Sequence, residues 1–298
     1  FGYWTSASFF RGYNWSDIAA MNPYYSFGYG ILLSPLLWLQ NSVLSYQGAI
    51  ILNGILLCLS FLLSYHCLSI LFKTLRTEYS VCISAAITLY ASNVGLSQTT
   101  MCESFLFFLF WCTFTCLLEI CSKKRNKYVI LYAISLGTIY AVHLRTLGII
   151  ITGVLCLLIL WRKKIINYKQ LLIFIFVFSA FLIAGNLLKE TIQTTYSSNL
   201  TSNVNDYAGQ IGKIKLLFSA TGLKAFIKSM VGKVWYLASS TLLLVFWFVI
   251  VCIKNIRLKS LIFSKDFNRL QLLLFFCALS LLTTLGISSL FMINPTRI

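Results

Sequence analysis

The chain has 298 residues, of which 59% are hydrophobic and only 10% charged, where soluble domains average about 25% charged residues. Together with a mean hydropathy of +0.84, this excludes an ordinary soluble globular domain. The net charge of +17 does not signal nucleic acid, because the 24 Lys and Arg are spread through the breaks between apolar runs. Membrane topology accounts for most of them, and contact with anionic headgroups for others.

Runs such as ESFLFFLFWCTFTCLLEIC at 103–121 are apolar on every side and lack the period-2 alternation of barrel strands. The expected fold class is all-α: a multi-spanning membrane helix bundle. Most of the ten cysteines sit inside such runs, with no CxxC pair or Cys/His ligand spacing, so they read as small core residues rather than disulfides or a zinc site.

Residues 1–26 are aromatic but polar (Tyr3, Trp4, Phe9, Phe10, Tyr13, Trp15), which suits the headgroup level of a membrane. The apolar stretch 27–39 is short and contains Pro35, as an interfacial or re-entrant helix would. Eight spanning helices are then expected, near 48–72, 79–96, 103–121, 128–143, 146–161, 170–188, 234–253 and 270–291.

Counting Lys and Arg by side orients them. One set of breaks carries 15 basic residues in short loops, the other nine, six of which lie in one long loop, where charge weighs less on topology. The first set is placed in the cytoplasm. Residues 1–47, 97–102, 144–145, 189–233 and 292–298 then face outside. The whole chain, 1–298, is expected as one transmembrane domain, with 1–47 an external loop bearing interfacial helices. The loop 189–233 carries Ile211, Ile214, Leu217 and Phe218 at helical spacing, the pattern of an amphipathic helix. Asn199-Leu200-Thr201 is a glycosylation sequon. Phe1 is not preceded by Met, and the chain stops just after an apolar run, so a fragment cut at both ends is expected.

Only seven acids are present. Glu78, Glu119 and Asp266 fall among cytoplasmic Lys and Arg and read as solvated ion pairs; Glu190 and Asp206 read as solubilising loop charges. Glu103 opens an intensely apolar helix on the external side. It is either a carboxylate stabilised by the helix dipole or a functional acid, since ionisable groups at membrane depth are costly. His143 and Arg145 end a helix on the same side. They either snorkel to headgroups or grip an anion, for which Arg has paired donors of the right geometry. The aromatic turn Asn22-Pro23-Tyr24-Tyr25-Ser26-Phe27-Gly28-Tyr29-Gly30 is an interfacial belt or a wall for sugar or lipid. Phosphate loops, HExxH and a serine elbow are absent.

Three segments resemble a known group: FGYWTSASFFRGYNWSDIAAMNPYYSFGYGILLSPL, TTMCESFLFF and HLRTLG. They resemble the polytopic lipid-carrier-dependent glycosyltransferases of the C-type fold, relatives of protein O-mannosyltransferases and of bacterial aminoarabinose transferases (glycosyltransferase family 39). The resemblance covers roughly residues 1–190. It implies transfer of a sugar from a polyprenyl-phosphate carrier to an external glycan, lipid or protein acceptor. It also implies that Glu103 is a second acid, that Arg145 and His143 meet the donor phosphate, and that Asn22, Tyr24 and Tyr25 line the acceptor or sugar. The family's main base, an acid in the first external loop, would fall before Phe1. Some members use a divalent metal, but too few ligands occur here to assign one, and no cofactor is assigned. The implied partners are the lipid-linked sugar and membrane lipids, with no nucleic acid. Sixteen Lys against eight Arg lean towards an AT-rich bacterium and its plasma membrane. The competing readings are a transporter or flippase, or a ligase or polymerase, of lipid-linked surface glycans.

Overall fold

A computed structural model describes residues 2–15, 26–143, 146–196, 220–240, 244–255 and 269–291. The described residues contain helices and no strand, so the all-α expectation holds. By their contacts they divide into two compact units: Phe1–Leu144 with Lys164–Asn199, and Arg145–Lys163 with Leu200–Ile298.

The first unit opens with a short helix, α1 (Gly2–Phe10), followed by α2 (Gly28–Leu33), which runs into a 3-10 helix at Ser34–Leu39. The 3-10 helix ends at Gln40, in the left-handed region at φ 50°. The long helix α3 (Ser42–Leu71) starts where Asn41 accepts hydrogen bonds from the amides of Val43 and Leu44 at 3.0 and 3.1 Å. These satisfy two of the amides that a helix start leaves open. Next come α4 (Thr77–Thr88), α5 (Ala91–Ser97), α6 (Glu103–Lys123), α7 (Asn126–Val142) and, after a segment assigned to the other unit, α9 (Tyr168–Tyr196).

A reciprocal cap starts α9. The Asn167 amide donates to Gln170 Oε1 at 3.0 Å, and the Gln170 amide donates to Asn167 Oδ1 at 2.8 Å, the geometry of a capping box. Gln170 Nε2 also donates to the Lys124 carbonyl at 2.8 Å, tying this helix start to the turn between α6 and α7. Further along, α7 and α9 approach closely at Gly137, where a Cβ would stand 2.7 Å from Phe181 Cβ.

The second unit holds α8 (Leu147–Arg162), α10 (Ala220–Ser240), α11 (Leu244–Asn255) and α12 (Arg269–Phe291). Gly148 lets α8 and α12 touch, since a Cβ there would lie 2.5 Å from the Thr284 amide nitrogen.

Among the described residues, four stretches are long and apolar enough to cross a membrane: Ser42–Leu71, Glu103–Lys123, Tyr168–Tyr196 and Arg269–Ile287. The pair Thr77–Thr88 and Ala91–Ser97, bent by 57°, makes a fifth if it is one broken span. The expected eight do not all appear as continuous spans. The expected spans 128–143 and 146–161 are helices of 17 and 16 residues, short of the roughly 20 that cross a bilayer. The described part of the expected span 234–253 belongs to the helices Ala220–Ser240 and Leu244–Asn255, and residues 241–243 lie outside the described residues.

The long helices carry large apolar side chains on open faces, such as Phe176 at 77% and Ile51 at 64% exposure. In water, apolar surface repeated along whole helices would be strongly unfavourable, whereas lipid tails accept it. The ten cysteines are all free, six of them buried, as small core residues would be.

Candidate functional site

The site is built where α1, α2, α3 and the start of α6 meet. Tyr29, on α2, is fully buried. Its hydroxyl donates to Asn53 Oδ1 at 2.9 Å, and Asn53 Nδ2 donates to the Thr99 carbonyl at 2.7 Å. Asn53 lies inside the apolar helix α3 and is itself fully buried. An amide at that depth is costly unless its donors and acceptors are used, and here both ends of it are. Tyr3 of α1 packs edge-on against Tyr29, with centroids 5.4 Å apart, and its hydroxyl lies 2.8 Å from Cys102 Sγ.

Glu103 follows Cys102 as the first residue of α6 and is half-buried. Its Oε2 is buried and has no hydrogen-bond partner. Burial pushes the hydroxyl of Tyr29 up to about 12, with the hydrogen bond to Asn53 opposing the rise and nearby Glu103 adding to it. Tyr29 is therefore a protonated donor at any ordinary pH and not a base. The acid is the group with acceptor capacity to spare.

His143 caps the C-terminus of α7 in extended backbone, its amide donating to the Ile139 carbonyl at 3.1 Å. The preceding residues, Ala141 and Val142, pack on α2 so closely that a Cβ on Gly28 would stand 2.8 Å from their backbone. Gly28 and Tyr29 are neighbours, so one short helix touches both the end of α7 that bears His143 and the surroundings of Glu103. Arg145, Asn22, Tyr24 and Tyr25 lie outside the described residues, as does the sequon at Asn199 and the expected amphipathic segment Ile211, Ile214, Leu217 and Phe218.

Tyr3, Tyr29 and Asn53 were not singled out from sequence. Tyr3 and Tyr29 read as belt aromatics. Asn53, however, is the one amide side chain in the apolar run 48–72, and that alone marks a polar contact in a membrane helix.

A second polar cluster lies further along the same helix pair. Glu119 Oε1 accepts from Lys123 Nζ at 3.0 Å and lies 2.9 Å from His66 Nε2. Pairing was expected here together with solvation, and the structure corrects the solvation: Glu119 is 3% exposed. Its position on α6 faces α3 rather than water, and His66 on α3 supplies a partner that loop charges alone did not suggest. Among the described residues no three His, Cys, Asp or Glu side chains gather in a way that could hold a metal ion.

No protein-family model matches the chain, and no curated protein or solved structure matches it. Fold and site define a class: an all-helical protein whose apolar helices suit a membrane, with a polar, acid-bearing cluster among them.

Proposed function

We propose that this chain is a membrane glycosyltransferase, or part of one, that moves a sugar from a polyprenyl-phosphate carrier to a glycan, lipid or protein acceptor outside a bacterial plasma membrane. One observation carries the reading: the buried, unpartnered Oε2 of Glu103. A carboxylate oxygen left without a donor in a buried setting costs free energy, and a hydroxylated acceptor would relieve that cost by donating to it. Glu103 then orients the acceptor hydroxyl, while His143 and Arg145 stabilise charge on the departing lipid phosphate. Asn22, Tyr24 and Tyr25 would line the sugar or acceptor. A general base takes the hydroxyl proton, a role to which none of the described residues is assigned. The fuller arrangement of eight crossings, with the short N-terminal helices lying at the external interface, belongs to the same proposal.

The test is sugar transfer by the full-length protein in membranes, with a polyprenyl-phosphate sugar as donor. Glu103→Gln removes the charge and keeps the shape, and is expected to abolish transfer while the protein stays inserted and folded. Transfer at the parental rate would reject the role of Glu103.

A transporter or flippase is the second reading, and the bend of 57° between Thr77–Thr88 and Ala91–Ser97 favours it. Asn93 Nδ2 donates to the Ile87 carbonyl at 3.0 Å across that break, satisfying backbone that the break frees. Interrupted helices of this kind form substrate sites in transporters. Vesicles that translocate a lipid-linked sugar without any acceptor being modified would decide for this reading and against transfer.

A further inference from the structure

We propose that Arg11 and Trp38 form a seat for the phosphate of an anionic membrane lipid, apart from the Glu103 cluster and independent of whether the protein transfers sugar. Arg11 is the only Lys or Arg before Lys73, and the turn that carries it is built with unusual economy of freedom. The Gly12 amide donates to the Phe9 carbonyl and the Tyr13 amide to the Ser8 carbonyl, both at 3.0 Å. Gly12 sits at φ +69°. This is the Schellman pattern that closes a helix, with Arg11 as the last residue before the left-handed glycine. Tyr196 of α9 holds the turn from outside, its hydroxyl donating to the Tyr13 carbonyl at 3.1 Å.

The guanidinium carbon of Arg11 lies 4.4 Å from the centroid of the Trp38 ring and 5.9 Å from that of Tyr13. Stacking on an aromatic face orients the planar fork and leaves its edge donors free. Among the described residues no carboxylate lies within ion-pair distance of Arg11, and its Nε is buried without a hydrogen-bond partner. A buried donor of this kind asks for an acceptor, and a phosphate oxygen is the one that a guanidinium pairs with best.

The surroundings say that the phosphate is carried by a lipid. Trp38 is 66% exposed, and Ile31, Leu39, Val43 and Leu44, close to it along the chain, are exposed apolar residues. Trp38 lies four residues before the start of the Ser42–Leu71 helix. That helix has 30 residues and is about 45 Å long at 1.5 Å per residue, against a hydrocarbon core of about 30 Å. Its first turns therefore reach the headgroup zone, where Trp is favoured. A free phosphate ion would gain nothing from the apolar rim, while the chains of a lipid would cover it.

The experiment uses the purified full chain in neutral detergent, with phosphatidylglycerol as probe and native mass spectrometry to count retained lipid. Inorganic phosphate is offered in a parallel arm. Wild type is expected to retain one phosphatidylglycerol that Arg11→Gln and Trp38→Leu lose by roughly tenfold or more, the scale of a charge-assisted hydrogen bond. Arg11→Lys should fall between, having the charge without the paired donors. Phosphatidylglycerol should also raise the Tm of wild type and of Arg11→Lys but not of Arg11→Gln, which reads the seat in folded protein. Undiminished lipid in Arg11→Gln overturns the proposal; if that variant does not fold, undiminished lipid in both Arg11→Lys and Trp38→Leu does so. Inorganic phosphate that displaces the lipid at equal concentration overturns the assignment to a lipid.

Discussion

Tyr29 and Asn53 stand 24 positions apart in sequence and share a hydrogen bond of 2.9 Å inside the protein. The bond joins the short helix α2 to the interior of a long apolar helix, and through the Thr99 carbonyl to the residues that lead into α6. Replacing Asn53 by Leu strands the Tyr29 hydroxyl and the Thr99 carbonyl together. A loss of about 1–3 kcal/mol is expected for each buried group left unsatisfied, read as a fall in the thermal unfolding midpoint of the detergent-solubilised protein. An unchanged midpoint would mean that the bridge adds nothing.

Tyr29 also predicts a pH dependence. Its hydroxyl is raised from 10.0 to about 12 in the folded protein, so between these values the folded state holds a proton that the unfolded chain has released. Stability from this group is complete below about pH 10 and is lost as pH rises through about 12. Tyr29→Phe should flatten the alkaline limb of a stability profile across that window, and an identical limb in both proteins would contradict the buried phenol.

Glycines 28 and 54 should respond in opposite ways. A Cβ on Gly28 would meet the Ala141 and Val142 backbone at 2.8 Å, whereas one on Gly54 meets nothing within 4 Å. Gly28→Ala should therefore destabilise by about 1–3 kcal/mol through overpacking. Gly54→Ala, inside a helix, should be neutral or stabilising by up to about 1 kcal/mol. Paired midpoints in one detergent make the comparison, and equal effects would argue against the close approach of α2 and α7.

Around Glu119 the expected result is non-additivity. His66 and Lys123 are each about half exposed on their side chains (46% and 48%), so losing either alone should cost under about 1 kcal/mol. Losing both leaves a buried carboxylate with no cation or donor at all, and such an orphan is far more costly. The double variant His66→Ala, Lys123→Ala should fall below the sum of the singles by about 0.5–3 kcal/mol in a double-mutant cycle. Simple addition would mean that water reaches Glu119.

Much of this was legible without coordinates, and the residues that were not share a cause. The helix from Glu103 could be placed to its first residue because an acid and an apolar run mark its start. The bend after Thr88 has no proline to announce it, and Tyr90 and Asn93 read as ordinary positions of one apolar stretch. Glu119 looked solvated because its sequence neighbours are basic, yet the residue that faces it, His66, is 53 positions away. Arg145, Asn22, Tyr24 and Tyr25 lie outside the described residues.

By itself, the sequence determined that the chain is helical and that several of its helices suit lipid, because hydropathy and periodicity are sums over neighbouring residues. The tertiary structure decided which polar groups meet: Tyr29 with Asn53, His66 with Glu119, the Arg11 fork with the Trp38 ring. Those meetings depend on how helices distant along the chain lie against one another. Apolar composition drives the helices into lipid without choosing their register, and the register is set by close glycine contacts and by buried polar atoms that must each find a partner.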